Sequence, residues 1–294
     1  MKKTTLFCIA MLLSIFAQAQ MDFKFGFRAG GTVATMFGPL ETDGAGNELE
    51  KYKFSAKLSL GGTVSLALTE NIGLCAELLF SQKGALYRFE ADNSYLKLPA
   101  TGQDYFGHKR IVSYNLTNGY VEVPILFYVQ PIKDRLQLDF GPSISFLVSS
   151  RALGILKYGV IDPDNPNAED FLEMEFDFKY LKDEAGALAT NSVNKVAKLD
   201  QTSITYPSRL GGYYFFNEKK GPAFSNIDFG VNFGASLFFT KGLRVGARAY
   251  YGLIDITNNN YDVQQSALDA SNQYILRQDK DINFGLQFFV GLQF

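Results

Sequence analysis

Apolar residues recur at every second position through eight segments of this chain, with polar or small residues between them. In the stretch Arg135–Val148, Leu136, Leu138, Phe140, Ile144, Phe146 and Val148 fall on one face, while Arg135, Gln137, Asp139, Gly141, Ser143 and Ser145 fall on the other. Ile282–Phe294 repeats the pattern with one exception, Phe289, which lands among the polar positions. The same alternation runs through Phe23–Val33, Phe54–Leu68, Ile72–Ser81, Tyr120–Val129, Ile227–Phe239 and Leu243–Leu253. A period of two is that of a β-strand with one apolar face.

Alternation alone suits a sandwich as well as a barrel, so the connections decide between them. Short links at Thr69–Asn71, Ile132–Asp134 and Thr240–Gly242 alternate with long ones at Gly38–Lys53, Arg88–Arg110, Arg151–Ala223 and Thr257–Asp281. Strict alternation of tight turns and large loops is the meander of a barrel that crosses a membrane as strands. No exported run approaches the ~18 apolar residues of a spanning helix. An open sheet in hydrocarbon would leave backbone N–H and C=O groups unpaired at several kcal/mol each, so closure is required. The expected fold is therefore all-β: an eight-stranded antiparallel up-and-down transmembrane β-barrel with short periplasmic turns and long surface loops. Pro124 cannot donate to a ladder, and a bulge or local widening is expected beside it. Phe294, an aromatic at the end of an alternating strand, resembles the assembly signal read by barrel-assembly machinery.

The first residues change the picture of where the protein works. Lys2 and Lys3, an apolar stretch from Leu6 to Phe16 and small residues at Ala17 and Ala19 read as a signal peptide over 1–19, leaving a barrel domain over 20–294. Cys8 lies inside that apolar stretch, without a lipobox, and Cys75 would remain as the one cysteine of the exported part, so no intrachain disulfide is expected. Lys and Arg total 28 against 30 Asp and Glu, and no basic footprint for nucleic acid is present. The composition, with 27 Phe, 16 Tyr and no Trp, excludes a disordered tail or a disulfide scaffold.

Tyr120-Val121-Glu122-Val123-Pro124-Ile125-Leu126, followed after a turn by Leu138-Asp139-Phe140-Gly141-Pro142, resembles the core of PorT-like outer-membrane β-barrel proteins of Bacteroidetes. Phe25-Gly26-Phe27-Arg28-Ala29-Gly30, Asp228-Phe229-Gly230 and Leu243–Tyr250 support the likeness, which covers the strands and not the loops. The resemblance implies an outer-membrane location, and the family's namesake is linked to type IX secretion and gliding. The 151–223 link departs from the family in size.

Chemistry is concentrated on the inner face and in the loops. Counting from the short turns puts Glu77, Asp139 and Arg248 at comparable depth with Arg28 and Glu122 adjoining, so these five are expected to form a charge network that plugs the lumen. His108, the only histidine, lacks a companion nucleophile, no G-x-S-x-G element is present, and no catalytic residue is assigned. The oxygen-rich turn Asp162–Asp170 lacks the spacing of an EF-hand, no Cys and His cluster exists for zinc, and neither metal nor cofactor is expected. In the third link, Leu172, Met174, Phe176, Phe178 and Tyr180 alternate with charged residues and predict a further strand, with Ile204–Tyr206 and Gly212–Phe216 pairing onto it and a short helix near Ala185–Leu199. Phe176, Phe178, Tyr180, Tyr213, Tyr214 and Phe215 form a candidate binding face at the surface. The function read from these features is that of a monomeric, non-enzymatic barrel held in outer-membrane lipid, its loops binding a partner protein or envelope component. An outer-membrane enzyme on lipid or peptide and a small-solute transport protein are the alternatives.

Overall fold

The computed structural model describes residues 22–162, 164 and 170–294. The expected signal peptide, with Cys8, and most of the oxygen-rich turn lie outside the described residues. Eight strands form the wall: β1 (Asp22–Phe37), β2 (Ser55–Ala67), β3 (Ile72–Lys83), β4 (Gln103–Ile132), β5 (Leu136–Gly159), β6 (Ile227–Phe238), β7 (Leu243–Gly252) and β8 (Ile282–Gln293). Each hydrogen-bonds to its chain neighbour, and β8 returns to β1, so the eight close into a ring. The seam runs from Gly26 opposite Gln293 to Phe37 opposite Ile282. It is finished by backbone bonds between Phe25 and Phe294 at 3.0 and 2.8 Å. Every backbone edge that would face hydrocarbon is thereby paired.

The alternation becomes an inside and an outside. Phe25, Leu58, Leu78, Phe140, Phe233 and Phe288 stand on the outer surface, whereas Arg28, Glu77, Glu122, Asp139, Asp228 and Arg248 are buried in the lumen. Phe289 breaks the rule because both of its neighbours across the ladder are glycines, Gly30 on β1 and Gly246 on β7. A Cβ on Gly246 would fall 2.4 Å from the Phe289 ring. The missing side chains make the room that the ring occupies.

Beside Pro124, where a bulge or local widening is expected, the register does not shift but the ladder lapses on both sides. Pairing of β4 with β5 keeps one register from Pro124 opposite Ser143 to Phe127 opposite Phe140 with the positions between them unpaired, pairing with β3 lapses between Ile125 and Glu122, and the register shifts fall at Val129–Ile132 and, farther up, at Gly119–Tyr120. About a dozen residues separate that bulge from the turn at Lys133, enough to cross a bilayer. Beyond it β4 and β5 continue upward as a sheet that leaves the ring, which is a common use of bulges at barrel rims.

That sheet carries a second, extramembranous layer. The link expected over Arg88–Arg110 is largely a hairpin, Leu86–Leu98 folding back on β4. The strand expected around Leu172–Tyr180 is present as Phe171–Lys179 and pairs with the upper half of β5. Its expected partners differ. Thr202–Pro207 pairs with Asn194–Leu199, and only Arg209–Leu210 reaches Phe171–Lys179, in parallel. No helix forms near Ala185–Leu199. Gly186 and Asn191 adopt positive φ of 65° and 64°, a left-handed conformation that ends helical turns, and Asn194–Leu199 is extended. These segments, with the β4 and β5 extensions, bury a core that includes Phe89, Leu96, Leu156, Leu172, Met174, Leu210 and Ile256.

Candidate functional site

Two polar layers fill the lumen. In the lower one Arg248 grips Glu77 with both terminal nitrogens, at 2.6 and 3.1 Å, and donates from Nε to Asp139 Oδ1 at 3.1 Å. Asp139, Gly234 and Arg248 are neighbours in one row across β5, β6 and β7. Gly234 lets this contact form, since a Cβ there would fall 2.7 Å from Asp139 Oδ1. Arg28 Nε lies 3.4 Å from Glu77 Oε2, and its Nη2 donates to Gln287 Oε1 at 2.6 Å. The inward ring of Phe289 sits 4.3 Å from the Arg28 guanidinium and 5.6 Å from that of Arg248, a cation–π floor for both.

The upper layer is built on Lys83. Its ammonium lies 3.0 Å from Asp228 Oδ2 and 3.6 Å from Glu122 Oε2, with the Tyr250 ring 3.4 Å away. Asn283 also donates to Asp228, at 2.9 Å. Of the five residues expected to form one network, the structure brings Arg28, Glu77, Asp139 and Arg248 together and gives Glu122 to Lys83. The expected strand ended at Ser81; carrying its alternation two residues further puts Lys83 on the inner face. Both layers are almost wholly buried, with Glu122 and Asp228 at 0% exposure, in a ring whose interior is about as wide as its side chains.

The aromatic residues expected as a surface face do not form one. Phe176, Phe178, Tyr213 and Tyr214 are buried at 4% exposure or less, and Tyr180 and Phe215 are partly buried against them. The alternation of Phe171–Lys179 turns its apolar side onto the cap's own core and its charged side outward, so the rings line an internal chamber. Phe176 and Phe178 lie 4.4 Å apart, and each packs on Tyr214, at 5.8 and 6.0 Å. Tyr52, Tyr87, Phe216 and Tyr261 complete a semi-enclosed cavity of about 130 Å³ with Glu50, Asp262 and Asp281 at one side. That volume is of the size that holds a single aromatic ring. Tyr87 donates to Glu50 Oε2 at 2.9 Å, and burial raises the Tyr87 phenol well above its ordinary range, so it stays a donor.

Beside the chamber, Asp262, Asp279 and Asp281 converge with Arg277, whose Nη1 is 2.6 Å from Glu50 Oε1 and Nη2 2.7 Å from Asp279 Oδ2. Burial, then the neighbouring Asp279, pushes the Asp281 carboxyl up to about 7. Asp262 is raised as well, by burial and by Asp279. The sequence reading passed over this group, although Asp279 and Asp281 stand two apart. His108 is placed 3.0 Å from Asp200 Oδ2 and edge-on to Tyr158. Ser94, opposite it in the hairpin register, gives its hydroxyl to the Gln265 carbonyl at 2.5 Å.

Solved structures of outer-membrane barrels resemble the chain at low identity. Neisserial surface protein A aligns at 10% identity over 92% of this chain and 97% of that one, with a TM-score of 0.34. Ail, the attachment invasion locus protein of Yersinia pestis, solved with the heparin analogue sucrose octasulfate, aligns at 9% over 93% and 100%, with a TM-score of 0.32. OprG from Pseudomonas aeruginosa gives 11% over 94% and 98%, with a TM-score of 0.31. No curated protein matches the chain. The model of the outer membrane protein beta-barrel domain family matches residues 16–258, most of the length and seven of the eight wall strands, so the chain belongs to that family and is a protein of the bacterial outer membrane.

Proposed function

We propose that this protein is a plugged outer-membrane barrel that serves as the anchor for an extracellular binding cap, and that the cap seats an apolar, ring-sized group of a partner protein or envelope component. The observation that carries this reading is the chamber of about 130 Å³, walled by rings from several cap segments, in a barrel whose lumen holds two layers of buried ion pairs. A cavity lined by aromatic faces with a few polar groups at one side is the common form of a binding site for such a group. The lumen layers favour an anchor over a conduit, because a solute would have to displace buried ion pairs. The partners of His108 and Ser94 favour binding over hydrolysis, since neither side chain is set to activate the other.

Indole is a suitable probe because the chain has no Trp to obscure its fluorescence. Saturable indole binding to the barrel in nanodiscs, weakened in Phe178→Ala and absent from empty discs, is the expected result. Binding that never saturates, or that Phe178→Ala leaves unchanged, overturns the chamber as the binding site. The PorT-like assignment and its secretion link belong to the same reading. Tyr120 and Glu122 of the motif that carries the resemblance both point into the upper lumen layer, so a secretion role would be exercised by the cap. A deletion strain complemented with Phe178→Ala, assayed for exported cargo, separates cap from barrel in that role.

A further inference from the structure

Where the last surface link returns to β8, three carboxylates meet without enough positive charge to hold them. Asp279 and Asp281 stand two apart in the irregular stretch that leads into β8. Asp262 is brought beside them by the backbone bond from Arg277 N to Asp262 O at 2.8 Å. One carboxylate oxygen from each of the three lies within 4.8 Å of the other two. Arg277 meets one oxygen of each neighbour it reaches. Its Nη2 and Nε both donate to Asp279 Oδ2, at 2.7 and 3.0 Å, its Nε also lies 3.7 Å from Asp262 Oδ1, and its Nη1 is committed to Glu50. The Thr257 hydroxyl reaches Asp281 Oδ2 at 3.3 Å.

The oxygens left over are Asp262 Oδ2, Asp279 Oδ1 and Asp281 Oδ1, and all three are buried without a hydrogen-bond partner among the described residues. Asp281 is itself only 3% exposed, so its free oxygen has no recourse to bulk water. An unpaired buried acceptor is costly, and gathering three carboxylates so that an oxygen of each lies within 4.8 Å of the others raises that cost further. A single guanidinium shared among four carboxylates cannot offset them.

We propose that Asp262, Asp279 and Asp281 are the ligands of a hard divalent cation of the calcium class, which clamps the last surface loop to the barrel rim. The donor set is all oxygen, which selects against zinc and copper. The three carboxylates come from irregular loop backbone, and Asp262 and Asp281 also border the chamber, where waters can complete a shell of six to eight ligands. Calcium accepts such a flexible, partly hydrated site more readily than magnesium, which demands a near-ideal octahedron. The site shares Asp262 and Asp281 with the chamber wall, and its test uses no chamber ligand, so the two readings fail separately.

Terbium reports on it directly, because Tyr261 adjoins Asp262 and can sensitise a bound Tb³⁺ ion. The full-length folded chain in detergent is titrated with Tb³⁺ under tyrosine excitation, and the signal is then displaced with Ca²⁺. The expected result is saturation at one ion per chain, displacement by Ca²⁺, and weakening by about tenfold or more in Asp279→Asn and in Asp281→Asn. Glu70→Gln, at a distant periplasmic turn, should bind as the parent does. The Asn variants are isosteric and relieve repulsion, so folding, checked by heat-modifiable gel migration, should survive. Absence of saturable emission overturns the site, as do Asn variants that bind as tightly as the parent. Protection of the 253–281 loop from hydrogen exchange should rise with Ca²⁺ in the parent alone; protection indifferent to Ca²⁺, as a proton-sharing cluster would show, also overturns it.

Discussion

Glu77 and Glu122 look alike in the sequence, both acidic and both on the inner face, yet their surroundings give them different weights. Glu77 holds Arg248 through two bonds and approaches Arg28, while Glu122 has a single ion pair, to a Lys83 that keeps Asp228 and the Tyr250 ring. Glu77→Ala leaves buried guanidiniums uncompensated and should cost on the order of 3–5 kcal/mol in urea unfolding. Glu122→Gln should cost about 1–2 kcal/mol by the same measurement, because its cation stays satisfied. Equal losses would mean that the two acids belong to one network. Phe289 offers a second case. Gly246→Val places its Cβ 2.4 Å from that ring and should destabilise the barrel by about 1–3 kcal/mol, with much of the loss recovered when Phe289→Ala is added.

Among the elements, the strand Phe171–Lys179 and the last surface link carry the cap. Phe178 is 4% exposed and touches Phe176, Tyr180 and Tyr214, so Phe178→Ala should loosen the cap by about 3–5 kcal/mol. Proteolysis of the upper loops should accelerate while the barrel itself still resists heat in gel migration, since the two cores are separate. The last link should respond to pH. The Asp281 carboxyl sits near 7 in the folded protein against an ordinary 3.8, so between about pH 4 and 7 the folded loop binds more protons than the unfolded one. Stability in that window therefore falls as pH rises. Hydrogen exchange of residues 253–281 in chelator, corrected for the intrinsic rate, should show less protection at pH 8 than at pH 5. Asp281→Asn should reduce the difference, the remainder coming from Asp262, whose carboxyl is also raised.

For the molecule as a whole, the lumen and the cap make opposite demands on one chain. The proposed plug, two charged layers in a ring of eight strands, implies that planar bilayers holding the purified protein should show no steady conductance. A stable open channel in the parent protein would contradict a plugged lumen. The cap gains from being continuous with the wall. β4 and β5 run from the periplasmic turn through the wall into the cap sheet, so Val112, Tyr114 and Leu116 of β4 line the chamber as part of a wall strand.

Local alternation was enough to specify the strands, their inward and outward faces and the order in which they pair, because a period of two is set by the backbone and each hairpin joins chain neighbours. Leu138 and Asp139 show this, facing opposite ways as their positions require. Counting from turns put Glu77, Asp139 and Arg248 at one level with Arg28 adjoining, and their contacts agree. It could not pair Glu122 with Lys83, which depends on how far β3 extends and on the register of β3 against β4. It could not turn the aromatic strand inward, since alternation names two faces without saying which one another segment will cover. The convergence of Asp262 with Asp279 and Asp281 was equally out of reach. Contacts between segments distant in sequence are chosen by packing and closure of the whole chain, and only the tertiary structure decided them.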